Sequence, residues 1–578
     1  MGTVTGTPTR GRAARVLVVG AGPVGLTAAH ELARRGLRVR LVDAAPGPAA
    51  TSRAVAVHPR TLETFDQMGV VDAVLAAGRQ NRAFTMYAGG RRLVRLDADY
   101  ATMPTRFPFT VVIEQTRTEE LLREAVARLG VTVEWGVRLT ALEQDAAGVR
   151  ATLEHSAGGP ETYEVPWLVG CDGGHSTVRK QLGLPLIGES SETWELADAD
   201  VDFDLPPDTI YWAHTGGQAL MMVPYREDGR WRLLDTAPVR RPGEPADAEA
   251  VARRFSAKLS AGLGRPVQVS APSWNSVFTF QQRMVPRMGE GRCFVAGDAA
   301  HVHSPASGQG MNTGVQEAYN LGWKLAMADR GQAGRELLAS YGQERVPVGR
   351  ALLGSTRKAT FLVQFKNRLA GVGLPVAFTF VRNITPLRRA IQRKVLGGMS
   401  GLRLAYPDSP LSTGAPAGAL PAGSRAAAAS ARHPDAAGPM ALRAELRDPR
   451  WSLLWAEGGP AEAARTAAAA AAEHADWLSV RTATDTPAAS APATGATAAA
   501  DRAAPGPAPL PDPGGLLRDA LGLPPGGWVL IRPDGYTAAA GRTLTAPALA
   551  RALAPLSRPA LNPRPAASEP PRRVLEHH

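Results

Sequence analysis

RVLVVGAGPVGLTAAHELARRGLRVRLVD, residues 15–43, decides the fold. It reads as a strand, a glycine turn, a helix and a second strand. Pro23 opens the helix, where a missing N–H costs nothing, and Gly36 closes it, where a left-handed residue is favoured. Such a βαβ unit of about 30 residues begins a parallel sheet and sets the fold class as α/β. The turn carries Gly20-x-Gly22-x-x-Gly25. The first glycine permits the tight turn, the second lets backbone approach a pyrophosphate, and the third lets helix and strand pack closely. Pro23 and Val24 start a helix whose free N–H groups and dipole favour an anion. Asp43, ending the second strand, is placed to accept hydrogen bonds from a ribose diol. These features predict a dinucleotide site and leave NAD and FAD open.

Two further strand ends repeat the theme. CFVAGDAAHVHSPASGQGMNTGVQEAYNLGWKLA (293–326) puts Asp298 at the end of a strand, where a carboxylate can bind polyol hydroxyls. A loop with Pro305, Gly308 and Gly310 follows, then a helix from Met311 and Asn312 whose N-terminal N–H groups can face developing negative charge. WLVGCDGGHSTVRKQLG (167–183) ends a third strand on Asp172, a second candidate contact to the cofactor.

Outward from these motifs the pattern changes. Residues 14–190 and 277–404 read as two parts of one α/β domain, separated by apolar–polar alternation over 191–276. That alternation predicts an inserted, mostly antiparallel sheet. With Trp212, Met221, Met222, Tyr225 and Trp231 it can furnish an apolar wall over a cofactor, and Trp212, Met222 and Tyr225 are the candidate substrate contacts. No side chain is assigned as a catalytic base. Residues 405–560 form a small C-terminal domain, interrupted by an Ala/Pro/Thr-rich stretch, 484–514, expected to be a disordered loop.

Composition narrows the function classes. Of 65 basic residues only six are lysines, and the arginines are spread along the chain rather than gathered in a stripe with aromatics. The net charge of +12 therefore points to no nucleic-acid partner. The basic run 382–394 reads as a solvated helix face. No apolar run approaches the ~20 residues needed to span a bilayer, so no membrane partner is expected. The polar, basic first fourteen residues leave no room for a signal peptide, and two cysteines, Cys171 and Cys293, suit a reducing compartment, so the expected location is cytoplasmic. The cysteines show no metal-ligand spacing, and no metal is expected.

Taken together, GAGPVGLTAAHELARRG, CDGGHSTVRK and GDAAHVHSPASGQGMNTGVQEAYNLGWKLA resemble the three fingerprints of the class A, single-component FAD-dependent aromatic monooxygenases, the p-hydroxybenzoate hydroxylase and phenol hydroxylase family. The chain is similar in particular to the aromatic polyketide hydroxylases of antibiotic biosynthesis, strongly over 14–412 and more weakly beyond. The resemblance implies a glutathione reductase-like, Rossmann-type FAD domain, the inserted substrate sheet, and a C-terminal thioredoxin-like domain around RPDGY (532–536). Lacking redox cysteines, that domain would have a structural or dimer-contact role, in a monomer or homodimer.

Residue by residue, the resemblance implies that Asp43 binds the adenosine ribose, Arg53 approaches the pyrophosphate and flavin edge, and Gln115 meets the ribityl chain. Asp298 would hold the ribityl hydroxyls, and Asp172 would bridge FAD and the transient NADPH or NADH. Pro305 would lie at the reactive face, with Gly308 in its loop and Gly310, Met311 and Asn312 at the pyrimidine edge. The implied reaction uses NAD(P)H and O2 to hydroxylate a polycyclic phenol or quinone through a flavin C4a-hydroperoxide. The alternatives are Baeyer–Villiger insertion or oxidative ring rearrangement on the same scaffold, then a flavin-dependent halogenase, whose WxWxIP signature is not found, or a non-catalytic flavoprotein.

Overall fold

Val16–Val19 forms the centre of a parallel sheet in a computed structural model of the chain, flanked by Val39–Asp43 on one side and Trp167–Gly170 on the other. The structure describes residues 13–556 apart from 53, 98–102, 203, 216–217, 246, 304–307, 365–385, 387–389, 391–396, 414–419 and 486–506, and leaves aside the side chains of 190–192, 280 and 355–364. Arg53, Pro305 and nearly all of the basic run 382–394 thus lie outside the described residues. Cys293–Val295 and Val133–Trp135 extend the sheet in parallel, and Gly289–Glu290 adds an antiparallel edge. The strands Val16–Val19 and Trp167–Gly170 are buried throughout, as a sheet covered on both faces requires.

The helix Pro23–Ala33 lies against a long helix, Gly310–Asp329, and small residues make the contact possible. A Cβ on Gly314 would stand 2.6 Å from Val24 Cγ2, and one on Gly322 would stand 2.6 Å from Glu31 Cβ. Glu31 is fully buried at this junction. It pairs with Arg34 at 2.9 Å, Arg35 at 2.6 Å and His30 at 3.0 Å. Burial alone would raise its carboxyl, but the arginines outweigh it and hold the group down at about 2. The ion pair therefore stabilises the fold fully above the ordinary 4.5 and is lost as pH falls towards 2, a contribution of roughly 3 kcal/mol. The melting-temperature gap between the parent chain and E31Q is expected to close over that window; a gap independent of pH would refute the assignment.

A second sheet runs in the order His301–Val302, Trp274–Met284, Ile187–Asp202, Arg230–Asp235, Gln218–Pro224, Thr209–Thr215, Ala83–Ala88, Arg91–Asp97, with Gln268–Val269 also on Ile187–Asp202. It is antiparallel except where Thr209–Thr215 runs parallel to Ala83–Ala88. This sheet is wider than the expected 191–276, because a hairpin from residues 83–97 and the segment after Asp298 join its two edges. The expected stretch also contains a helix, Ala248–Leu263, capped by Asp247 and closed by left-handed Gly264. Its Val251, Phe255 and Leu259 cover one face of the sheet.

The last part carries a five-stranded sheet in the order Ala508–Pro511, Leu478–Thr484, Trp451–Ala456, Trp528–Ile531, Thr537–Gly541. Ala508–Pro511 pairs with Leu478–Thr484, so the expected loop 484–514 is too long at both ends; its middle, 486–506, lies outside the described residues. One face of this sheet packs on the Gly310–Asp329 helix, where Trp451 meets Trp323 edge-on at 5.5 Å. Arg532, Asp534 and Tyr536 are all buried within the chain, which removes them from any dimer contact. Among the described residues no helix is long and apolar enough to cross a membrane.

Candidate active site

Parallel pairing brings the carboxyl ends of four adjacent strands to one edge, and with them Gly20, Asp43, Asp172 and Asp298. Ligands of open α/β sheets bind in the crevice outside those ends. The glycines differ in why they are needed. Gly20 has φ +102°, and a Cβ there would stand 2.3 Å from the Cys171 carbonyl oxygen. A Cβ on Gly25 would stand 1.8 Å from the Gly20 carbonyl oxygen. Gly22 is different: its φ is −71° and a Cβ there would meet nothing within 4 Å. The chain itself has no use for a bare backbone at Gly22, whereas a ligand approaching the helix start does. Among the described residues no side chain caps that helix, which leaves its first N–H groups to an anion. This donor set fits a dinucleotide pyrophosphate.

The acidic residues are only partly free for a ligand. Asp43 accepts from the Ala21 amide at 2.7 Å and the Ala45 amide at 2.8 Å, so it also staples the glycine turn. Asp172 accepts from Ser176 Oγ at 2.5 Å and from the Thr177 and Val178 amides at 2.7 and 3.1 Å, which caps the helix Thr177–Gln181. Gln115 is engaged at both ends, with one N–H and one lone pair to spare: its oxygen accepts from the Ala54 amide at 3.0 Å and its nitrogen donates to Glu119 at 2.9 Å. It therefore fixes the backbone beside Arg53. Asp298, exposed on the turn Gly297–Ala299, is the acid that most openly faces solvent at this edge.

Among the described residues no side chain caps the N-terminus of Gly310–Asp329 either. The Asn312 side chain does not reach outward. It donates to the Ala56 and Gly308 carbonyls at 2.8 and 2.7 Å and accepts from the His58 amide at 2.9 Å. Met311 packs on the main core. A Cβ on Gly308 would come within 3.0 Å of Ala56 Cβ, and one on Gly310 within 2.9 Å of the His303 ring. Close packing thus accounts for both glycines, and the Asn312 clamp holds the 56–58 segment against the helix start.

Alternation in the second sheet separates the expected substrate residues. Met222 and Trp231 pack with Phe255 and Leu259 beneath the Ala248–Leu263 helix, so neither can line the open face. Met222, a substrate contact on the sequence reading, is instead a core residue of the covered face. The opposite face carries Phe84, Met221, Trp274 and Phe278, all half-buried, with Trp212 opposite Met221 in register. Tyr225 lies on this same face but is buried against Val112 and donates to Asp198 at 2.9 Å. Arg232 pairs with Asp198 at 2.7 Å and donates to the Ser52 carbonyl at 2.8 Å. Asp198, Arg232 and Tyr225 therefore fasten the sheet to the segment that carries Arg53. At one edge of the sheet, Trp274–Met284 pairs with His301–Val302, just past Asp298. The open apolar face is tied on both sides to segments of the cofactor edge.

A family described as FAD binding domain matches residues 13–356. The chain is 49% identical to 6-methylpretetramide 4-monooxygenase of Streptomyces rimosus over 92% of both chains. It is 36% identical to 12-dehydrotetracycline 5-monooxygenase/anhydrotetracycline 6-monooxygenase of Streptomyces rimosus subsp. rimosus, over 62% of this chain and 71% of the relative. Among solved structures, OxyS anhydrotetracycline hydroxylase from Streptomyces rimosus aligns with TM-score 0.70 at 30% identity, over 95% of this chain and all of that one.

Proposed function

The chain belongs to the FAD-binding family of flavin-dependent aromatic monooxygenases, and from that premise we propose that it hydroxylates a polycyclic phenolic polyketide of the tetracycline type. FAD held at the cofactor edge would supply the redox chemistry that links NADH or NADPH to O2. The protein's part is to hold, orient and keep dry. Gly20, Gly22 and Gly25 with Pro23 and Val24 cradle the pyrophosphate. Asp43 has lone pairs left for the adenosine ribose after its two backbone bonds, and Asp298 takes the ribityl hydroxyls. Gln115 and Asn312 act by shaping the loops around Arg53 and Gly308–Gly310, and Asp172 by fixing the third strand end.

The observation that carries the substrate reading is the half-buried face of Phe84, Met221, Trp274 and Phe278 opposite Trp212. A wall this broad suits a flat, fused-ring substrate and excludes water from the reacting edge. The high identity to an enzyme named for a pretetramide over nearly the whole chain supports the same class. Residues 405–560 are read as a thioredoxin-like domain. Their three mutually parallel strands followed by an antiparallel pair support that reading, and the absence of cysteine there suits a structural role. NAD(P)H use and two unpaired cysteines suit a cytoplasmic location.

Met221→Ala and Phe278→Ala are expected to uncouple the reaction, raising peroxide released per NAD(P)H several-fold while FAD content stays normal. Met222→Ala, on the covered face, should lower stability by about 2–5 kcal/mol yet keep coupling. Peroxide yield, flavin content and melting temperature decide the matter. Unchanged coupling in both open-face variants would place the substrate elsewhere.

A further inference from the structure

Beneath the turn that presents Asp298 lies a chain of buried charges with no direct part in the contacts described above. Glu317, fully buried on the Gly310–Asp329 helix, accepts from the Gly297 amide at 2.9 Å and pairs with His301 Nε2 at 2.8 Å. One carboxylate therefore holds both ends of the 297–301 segment. Gly297 sits at φ +64°, and a Cβ there would stand 2.8 Å from Val24 Cγ2, so the direction of the following residue depends on how this peptide is held. Arg345, also fully buried, brings Nη2 within 3.7 Å of Glu317. Its Nη1 donates to the Tyr406 hydroxyl at 2.9 Å and its Nη2 to the Thr313 carbonyl at 3.2 Å. The Tyr406 ring lies 4.6 Å from that of Tyr536, whose hydroxyl accepts from Arg60 at 3.2 Å. The series runs without a gap from the cofactor edge to the C-terminal region.

We propose that Glu317 is a positioning residue for the flavin, fixing the Gly297–Asp298 turn, and that Arg345 and Tyr406 hold Glu317, so that the C-terminal region supports the cofactor site. The proposal rests on Asp298 as the acceptor of ribityl hydroxyls. A purely structural Glu317 would affect the melting temperature alone. A positioning role leaves a further mark through His301. Burial opposes its charge, but Glu317 outweighs burial, with Asp298 adding to the effect and Arg345 opposing it, and the net result is a raised value. Among the described residues the other titratable ring in contact is His303 at 5.5 Å, held neutral by burial, down to about 3. Without the Glu317 charge, protonating His301 puts a second cation beside Arg345 with no anion between them, and the turn opens as pH falls.

The test is the dissociation constant for FAD of the full-length chain, measured by flavin fluorescence from about pH 5 to 8, the range in which histidine titrates. E317Q, Y406F and D298A are compared with the parent. E317Q should weaken FAD binding by about 10- to 100-fold and acquire a loss of affinity towards low pH that the parent lacks. Y406F, which removes one neutral hydrogen bond, should weaken binding by about 3-fold and also reports on the relay should E317Q fail to fold. A lower melting temperature in E317Q with the parent's FAD affinity and pH profile would overturn the positioning role. Parent-like affinity in Y406F would overturn the link to the C-terminal region. Parent-like affinity in D298A would instead refute the reading of Asp298, which is a separate failure.

Discussion

Alanine at Gly25 is expected to give a chain that holds no FAD and melts far below its parent. The added methyl would stand 1.8 Å from the Gly20 carbonyl oxygen and 3.3 Å from Cys171 Cβ, inside the tightest part of the βαβ unit. Backbone cannot yield there without parting the first helix from the strand beneath it. Overpacking of a buried site costs about 1–3 kcal/mol when side chains absorb it, and more when backbone must move. Alanine at Gly22 is the informative contrast. Its methyl meets only open space and its backbone is ordinary, so the melting temperature of the flavin-free chain should not change. FAD affinity should nevertheless fall, because the methyl occupies the approach to the helix start. Flavin content and melting temperature of the two variants check the pair of expectations. A G22A variant with normal affinity would move the pyrophosphate elsewhere.

Alanine at Glu344 should be the most damaging change far from the cofactor edge. Glu344 is buried between Lys324 at 2.7 Å and Arg532 at 2.6 Å, and it also accepts from Asn320 and Ser409 at 2.7 and 2.6 Å. Lys324 and Arg532 are fully buried, so the variant leaves two cations with Asp534 as their one counter-charge among the described residues. Breaking one buried pair costs about 3–5 kcal/mol, and here two are broken. Burial already brings Lys324 down to about 8 despite its partner. Without Glu344 the amine should shed its proton more readily. Since the unfolded chain keeps that proton up to about 10.5, the variant should regain part of its stability as pH rises above neutrality. Denaturation of E344A against pH checks both the size and the sign. A loss below about 1 kcal/mol would mean that Asp534 suffices.

The cofactor edge was legible because its signals are local. Gly20, Gly22 and Gly25 are spaced by the sterics of one turn, and parallel pairing then carries Asp43, Asp172 and Asp298 to the same side without further information. What those acids touch was less legible. Asp172 and Gln115 are partly taken up by neighbours close in space, and Asn312 turns inward to clamp Ala56, a pairing across 256 residues. The second sheet shows the same limit. Alternation separates Met221 from Met222 but does not say which face is covered. The helix that covers it is marked only by Asp247 and Gly264 at its ends, within a stretch of strand-like sequence. The parallel pairing of Thr209 with Ala83 has no local signal at all. Glu317, Glu344 and Lys324 look like ordinary polar positions of a solvated helix; the 297–301 turn and Arg345 enclose the first, and the docking of Arg532 and Asp534 completes the network of the other two.

Oxygen incorporation tests the central claim most directly. The purified enzyme with FAD, NAD(P)H and isotopically labelled O2 would be given 6-methylpretetramide and a small panel of fused-ring phenols, and the products weighed by mass spectrometry. Hydroxylation predicts at least one substrate that stimulates NAD(P)H oxidation and gains one labelled oxygen atom on an aromatic carbon. Label placed in a new ester or lactone would favour Baeyer–Villiger insertion instead. NAD(P)H oxidation that yields peroxide alone with every substrate, or a product without label, would contradict the assignment as an aromatic hydroxylase.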